Sequence, residues 1–241
     1  GGRVPRVIDL APSSLRNLGV AVDVGTTTMA AYLIDLVTGT QLATRACLNP
    51  QRRHGGDVIS RADFAGTPEG LNALQALVSG AIDDLTADML SAAGAEAEDV
   101  RHVVAVGNTI MMHLLAGLPV KNIAVVPFAP VYASGFDVAA TDLHLKLPNA
   151  RVTPSPCVAG YVGADTIAAI LACDMDRKPG LSLIIVIGTN GEIALGGADK
   201  MLCCSAAAGP AFEGAQIRCG SGATAGSIAP PSTPNSTWRT A

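Results

Sequence analysis

One pattern occurs twice in these 241 residues: a short apolar strand ends in a Gly-Thr turn and is followed at once by further short strands. In the first copy Val20-Ala21-Val22-Asp23-Val24 runs into Gly25-Thr26-Thr27-Thr28, and strands are predicted over Met29 to Asp35 and Gln41 to Leu48. In the second, Leu181 to Ile187 runs into Gly188-Thr189-Asn190-Gly191, and strands are predicted over Glu192 to Leu195 and Met201 to Ser205. An internal repeat constrains architecture more than any single element does. It predicts a duplicated α/β fold: a mixed sheet with an opening strand meander, then a second sheet whose Gly-Thr turn faces the first across a cleft.

The division expected is a lead-in over 1–18, a first unit over 19–175 and a partial second unit over 181–219. Leu71, Leu74, Leu77, Val78, Ile82, Leu85, Met89 and Leu90 recur at helical spacing after Pro68, so one long amphipathic helix should end near Gly94. Val103 to Val106 reads as a buried strand whose Gly107-Asn108-Thr109 turn opens a helix stopped by Gly117 and Pro119. The Pro-interrupted stretch 121–156 reads as an insertion, with short strands expected around Ile123 and Leu143, and another short strand is expected after it from Cys157 to Tyr161. A helix is expected from Thr166 to Cys173. Beyond Gly220 the Ser-, Thr-, Ala-, Gly- and Pro-rich sequence reads as a low-complexity tail.

Apolar residues make up 49% and aromatic ones 3%, so Ala, Val, Leu and Ile must supply the core. A formal charge of -4 with no basic face or aromatic series argues against a nucleic-acid partner. The strongest apolar run, Leu181 to Ile187, is too short to span a bilayer, so no membrane association and a cytoplasmic location are expected. None of the six cysteines forms a CxxC pair, which predicts reduced, mostly buried thiols and no iron–sulfur cluster on this chain.

A phosphate needs donors that converge without side-chain bulk, and Gly25 with the N–H and hydroxyl groups of Thr26, Thr27 and Thr28 offers them. Asp23 cannot favour the anion directly; its expected use is to hold a hydrated divalent ion. Gly188, Thr189, Asn190, Gly191 and Glu192 would form the opposing grip. Asp165 is either the cap of the helix that follows it or the carboxylate that orients the attacking water or a metal-bound one. Asn108 and Thr109 either cap their helix or stand at the ligand edge of the sheet. The loop from Arg52 to Asp57 either contacts a phosphate or partner or forms surface ion pairs, and His113 reads as a core or boundary histidine rather than a metal ligand.

Seven blocks carry a family resemblance: 23–28, 49–53, 56–61, 106–109, 160–165, 187–192 and 207–217. In that order they resemble the ATPase region of the reductive activators of corrinoid-dependent enzymes, which has the acetate and sugar kinase/Hsp70/actin (ASKHA) type of fold. The resemblance implies an actin/hexokinase-like (ribonuclease H-like) fold that binds ATP with Mg²⁺, Asp23 and Asp165 serving the metal and the hydrolytic water. It also implies a corrinoid protein as partner, a homodimer, and a [2Fe–2S] cluster in the parent protein rather than in this chain. ATP binding and hydrolysis would drive the return of Co(II) corrinoid to Co(I). Two departures stand out. Val186 occupies a strand position where the family carries Asp, which predicts weak Mg²⁺ support and poor hydrolysis. Family sequences also continue well past Cys219, so the second domain is expected to be incomplete and ATP affinity reduced. A small-molecule kinase of the same superfamily and a non-catalytic partner-binding scaffold are the alternatives.

Overall fold

The chain's structure, a computed structural model, describes residues 16–187 and 190–207. Its first sheet has six strands in the order β3-β2-β1-β4-β6-β5, where β1 is Leu18–Val24, β2 Thr28–Asp35, β3 Gln41–Leu48, β4 Val100–Gly107, β5 Val138–Ala139 and β6 Arg151–Pro154. Strands β1 to β3 form the expected antiparallel meander. β4 joins parallel to β1, β6 parallel to β4, and β5 antiparallel to β6, so the sheet is mixed.

Alternation along β1 decides what each face does. Val20 and Val22 are buried, and in register they lie beside buried Val103 and Ala105 of β4. This face is covered by the long helix α2 (Pro68–Ala93) and by α3 (Thr109–Leu115). Thr67 accepts a hydrogen bond from the N–H of Gly70 to cap α2, Pro68 fits its first turn, and Gly94 ends it at φ 60. Leu74, Val78, Ile82 and Met89 are fully buried along one stripe, each contributing about 1.5–3 kcal/mol by leaving water.

The opposite face carries Ala21, Asp23, Val104 and Val106, and it meets α5 (Ala164–Ala172). A second sheet follows, the antiparallel meander β7 (Ser182–Ile187), β8 (Asn190–Gly196) and β9 (Met201–Ala207). It repeats the connectivity of β1 to β3, as the sequence repeat predicts.

Four local expectations are corrected. Around Ile123 the chain forms a one-turn helix, α4 (Lys121–Ala124), and around Leu143 a 3-10 turn, while the strands of this stretch are β5 and β6. From Cys157 to Tyr161 there is no strand, only an isolated bridge between Ala159 and Val162. Among the five described cysteines none is paired, but only Cys157 is buried, and Cys173 and Cys204 are exposed. The exposed pair lies at a helix end and on an outer sheet position, where no core reaches.

Candidate functional site

The β1–β2 turn is built on a close approach: a Cβ on Gly25 would run into the carbonyl of Thr28. Its carbonyls are held from inside the protein. Asn49 donates from Nδ2 to Gly25 O at 2.8 Å and from its backbone N–H to Thr27 O at 2.9 Å. Arg61, from α1 (Val58–Phe64), donates from Nη2 to Thr26 O at 2.6 Å. Thr26 is buried and its hydroxyl accepts from Asn108 Nδ2 at 2.9 Å, whereas Thr27 and Thr28 are exposed. The three hydroxyls are therefore not equivalent, and two of them remain open to a ligand.

Asn108 caps its helix, one of the two roles its sequence position allows, and it also reaches the β1–β2 turn. Its Oδ1 caps α3 by accepting from Met111 N–H at 3.0 Å, and its Nδ2 reaches the turn. Gly163 packs against this corner so tightly that a Cβ would lie 2.5 Å from Asn108 Cα and from Gly107 O. Only glycine lets the start of α5 come so near, and that approach brings Asp165 towards Asp23.

Asp165 is not the cap of α5. The helix begins at Ala164, Gly163 holds the cap position without a side-chain bond, and Asp165 lies in the first turn. Its Oδ1 accepts from the Thr166 N–H at 2.7 Å. Burial pushes its carboxyl up, and that hydrogen bond partly offsets the rise. Asp23 is pushed up to about 6, first by the protein around it and then by the charge of Asp165, though its carboxylate is open to solvent and so partly screened. Glu192 of β8 is likewise raised by burial and by Asp165. Asp165 of α5 thus acts on one carboxylate of β1 and on another of β8.

Of the residues singled out in the sequence, Asp23, Gly25, Thr26 and Asn108 meet at the carboxyl ends of β1 and β4, with Thr27 and Thr28 on the same turn. Asp165 and Glu192 face them electrostatically. Asn190 and Gly191 open β8, and Gly188 and Thr189 lie outside the described residues. The loop from Arg52 to Asp57 serves local structure: His54 stacks on Phe64 with ring centroids 4.2 Å apart, and Asp57 caps α1 through Ser60 N–H at 2.8 Å. His113 is buried as expected, its Nδ1 2.7 Å from Thr109 O and its Nε2 accepting from Val131 N–H at 3.0 Å. A cavity of about 450 Å³ between β3 and α2, lined by Arg45, Cys47, Asp84 and Asp88, is separate from Asp23, Asp165 and Glu192.

Sequence reasoning missed Asn49, Gln51 and Arg61, all fully buried beneath the turn. A signal existed for Arg61: it falls on the stripe Val58, Arg61, Ala62 and Ala65, all buried at helical spacing.

Comparison with known proteins follows the same lines. The profile of the RACo middle region matches residues 18–178, and that of the C-terminal domain of RACo, the ASKHA domain, matches residues 180–239. A corrinoid activation enzyme, RamQ, from Eubacterium limosum is 37% identical over 228 residues, covering 92% of this chain and 38% of its own length. A [Co(II) methylated amine-specific corrinoid protein] reductase from Methanosarcina barkeri is 28% identical over 231 residues, covering 92% of this chain and 42% of its own. The solved structure of a reductive activator for corrinoid, iron-sulfur protein superimposes with a TM-score of 0.80 at 36% identity, over 87% of this chain and 34% of that one. The chain thus spans about two-fifths of the length of the curated relatives it matches.

Proposed function

The chain belongs to the RACo family of reductive activators of corrinoid-dependent enzymes, and from that premise we propose that it forms the phosphate-binding face of an ATPase that powers corrinoid reduction. The observation that carries this reading is the convergence of the Gly25–Thr28 turn, locked by Asn108, with the carboxylates of Asp23 and Asp165. In the activity proposed for the whole protein, ATP and water give ADP and phosphate. That reaction is coupled to the passage of one electron from an iron–sulfur donor to Co(II), giving Co(I).

Within the chain the roles divide by chemistry. The turn and the exposed hydroxyls of Thr27 and Thr28 donate to phosphate oxygens. Asp165, fixed by the Thr166 N–H, is placed to orient a water molecule. Asp23 is open to solvent and holds water from the other side. Among the described residues no three His, Cys, Asp or Glu groups stand close enough to bind a metal directly. A set of hard, mutually repelling oxygen donors does fit a hydrated Mg²⁺ held by Asp23, Asp165 and Glu192 through water, which would neutralise phosphate charge. The corrinoid protein is the proposed partner and a homodimer the proposed assembly; no described helix is long and apolar enough to cross a membrane. The cluster donor is assigned to the parent protein because the cysteines here lack CxxC spacing.

A second reading rests on Val186, whose side chain offers no acceptor: a module that binds nucleotide and partner without hydrolysis. Measuring ATP hydrolysis with and without a corrinoid protein separates the two. Hydrolysis that rises when Co(II) corrinoid protein is added supports the activator. Nucleotide binding with no hydrolysis under either condition supports the non-catalytic module.

A further inference from the structure

Arg61 is fully buried, yet among the described residues no carboxylate pairs with it. Its Nε donates to Gly55 O at 3.0 Å and its Nη2 to Thr26 O at 2.6 Å, while Nη1 meets Met111 Sδ at 3.2 Å and Gln51 Oε1 at 3.5 Å. Asp57 is the acidic group that acts on it, but Asp57 is exposed and engaged with Ser60. A buried guanidinium without a counter-charge is costly, and burial pushes this one down to about 10.

The bonds it makes bear on the direction of the turn's donors. The peptides of the turn are trans, and a trans peptide points its C=O and N–H in opposite directions. The carbonyls of Gly25, Thr26 and Thr27 are all drawn towards the buried Asn49 and Arg61 side. The N–H groups of Thr26, Thr27 and Thr28, which belong to the same three peptides, must therefore face away from it. Among the described residues no acceptor takes the N–H of Thr26 or Thr27. Successive outward N–H groups backed by a fixed positive charge suit a phosphate oxygen, and no neutral ligand would relieve the charge behind them.

We infer that Arg61 is a positioning residue for phosphate: from beneath the turn it fixes the Thr26–Thr27 peptide and supplies the buried positive charge that a bound phosphate tail neutralises. The inference rests on the proposed phosphate-binding role of the turn and adds the residue that orients its donors. Asn49 and Gln51 complete the support, Gln51 N–H donating to Asn49 Oδ1 at 3.0 Å and Gln51 Nε2 to Leu74 O at 2.9 Å.

The test uses the 241-residue chain, inorganic tripolyphosphate and ATP, with binding measured by calorimetry beside the thermal midpoint and the Thr26 carbonyl resonance. Arg61→Met should weaken tripolyphosphate binding by roughly 10- to 100-fold, the effect of losing a charged hydrogen bond. Arg61→Lys keeps the charge without the fork and should recover part of that affinity while still shifting the Thr26 resonance. A folded Arg61→Met protein that binds tripolyphosphate as well as the parent overturns the inference and leaves the phosphate role of the turn standing. If Arg61→Met does not fold, unchanged affinity and an unmoved Thr26 resonance in Arg61→Lys overturn it equally. A parent chain that binds neither ligand overturns the phosphate reading of the turn, and the inference with it.

Discussion

Asn108 bonds in two directions at once, capping α3 through Oδ1 and holding the Thr26 hydroxyl through Nδ2 at 2.9 Å. The β4–α3 corner and the Gly25–Thr28 turn are thereby joined through one side chain, and the two bonds of the amide can be separated. Asn108→Ala removes both and should cost about 1 kcal/mol for the cap alone. Asn108→Asp keeps the acceptor that caps the helix but loses the donor. Its unfolding midpoint should stay near the parent's while tripolyphosphate binding weakens, as titration of both variants would show.

Asp23 gives a pH dependence with a definite sign. Its folded value, about 6, lies above the ordinary 3.8, so the folded protein holds this proton more tightly than the unfolded chain. Stability from this group is highest below about pH 4 and falls as pH rises towards 6, as the cost of its partial burial and then repulsion from Asp165 set in. In metal-free buffer, Asp23→Asn should therefore raise the thermal midpoint at pH 7 to 8. The gain should be roughly 2–4 °C, what about 1 kcal/mol produces at this chain length, because solvent screening tempers the full shift. No gain should appear near pH 4, and added Mg²⁺ should shrink it at pH 7 by stabilising the parent.

His113 should act in the opposite sense. Burial holds its imidazole below the usual 6.5, with Thr109 O accepting from Nδ1 and Nε2 accepting from Val131 N–H. Protonation would place two N–H groups against each other at Val131. The folded state resists the proton that the unfolded chain accepts, so stability present above pH 6.5 is lost as pH falls below it. Tyr132 stacks on the same ring, with centroids 4.6 Å apart, so the segment around it should loosen first. Amide protection at Val131 and Tyr132, corrected for the intrinsic pH dependence of exchange, should fall as pH drops below about 6.5, and His113→Gln should flatten that dependence.

What the sequence made legible follows the range of the forces involved. The meander β1 to β3 and helix α2 are set by local alternation, Pro68, Gly94 and the glycine turns, and each stands where periodicity places it. The stretch 121–156 is set by distant partners. Asp83 on α2 accepts from Lys146 N–H at 2.9 Å, and Ser79 donates to Leu143 O at 2.8 Å. These bonds hold Leu143, Leu145 and Leu147 in the core without strand pairing, and no local pattern announces them. The candidate site divides similarly. Asp23, the turn and Asn108 could be read from residue type and place, whereas the support from Asn49, Gln51 and Arg61 depends on folding three segments together.

Val186 and Glu192 are directly paired across β7 and β8, so their side chains share one face of the second sheet. Glu192 also feels the charge of Asp165. The face that lacks a carboxylate at Val186 therefore has one at its cross-strand neighbour, though displaced by a strand width towards β8. A water-held divalent ion needs acceptors in a definite arrangement, and an isopropyl group supplies none. In a chain carrying a complete ASKHA domain, Val186→Asp should raise Mg²⁺-dependent ATP turnover by roughly 10²- to 10³-fold if about 3–4 kcal/mol of transition-state stabilisation is restored. Metal-free nucleotide affinity should change little. Glu192→Gln should lower whatever turnover the unsubstituted protein shows, and Val186→Asp should recover it in that background. Equal turnover with Val and Asp at position 186, at saturating ATP and Mg²⁺, would show that Asp23, Asp165 and Glu192 already suffice for the metal. Val186 would then be a packing residue of β7, set half-buried beside its strand partner.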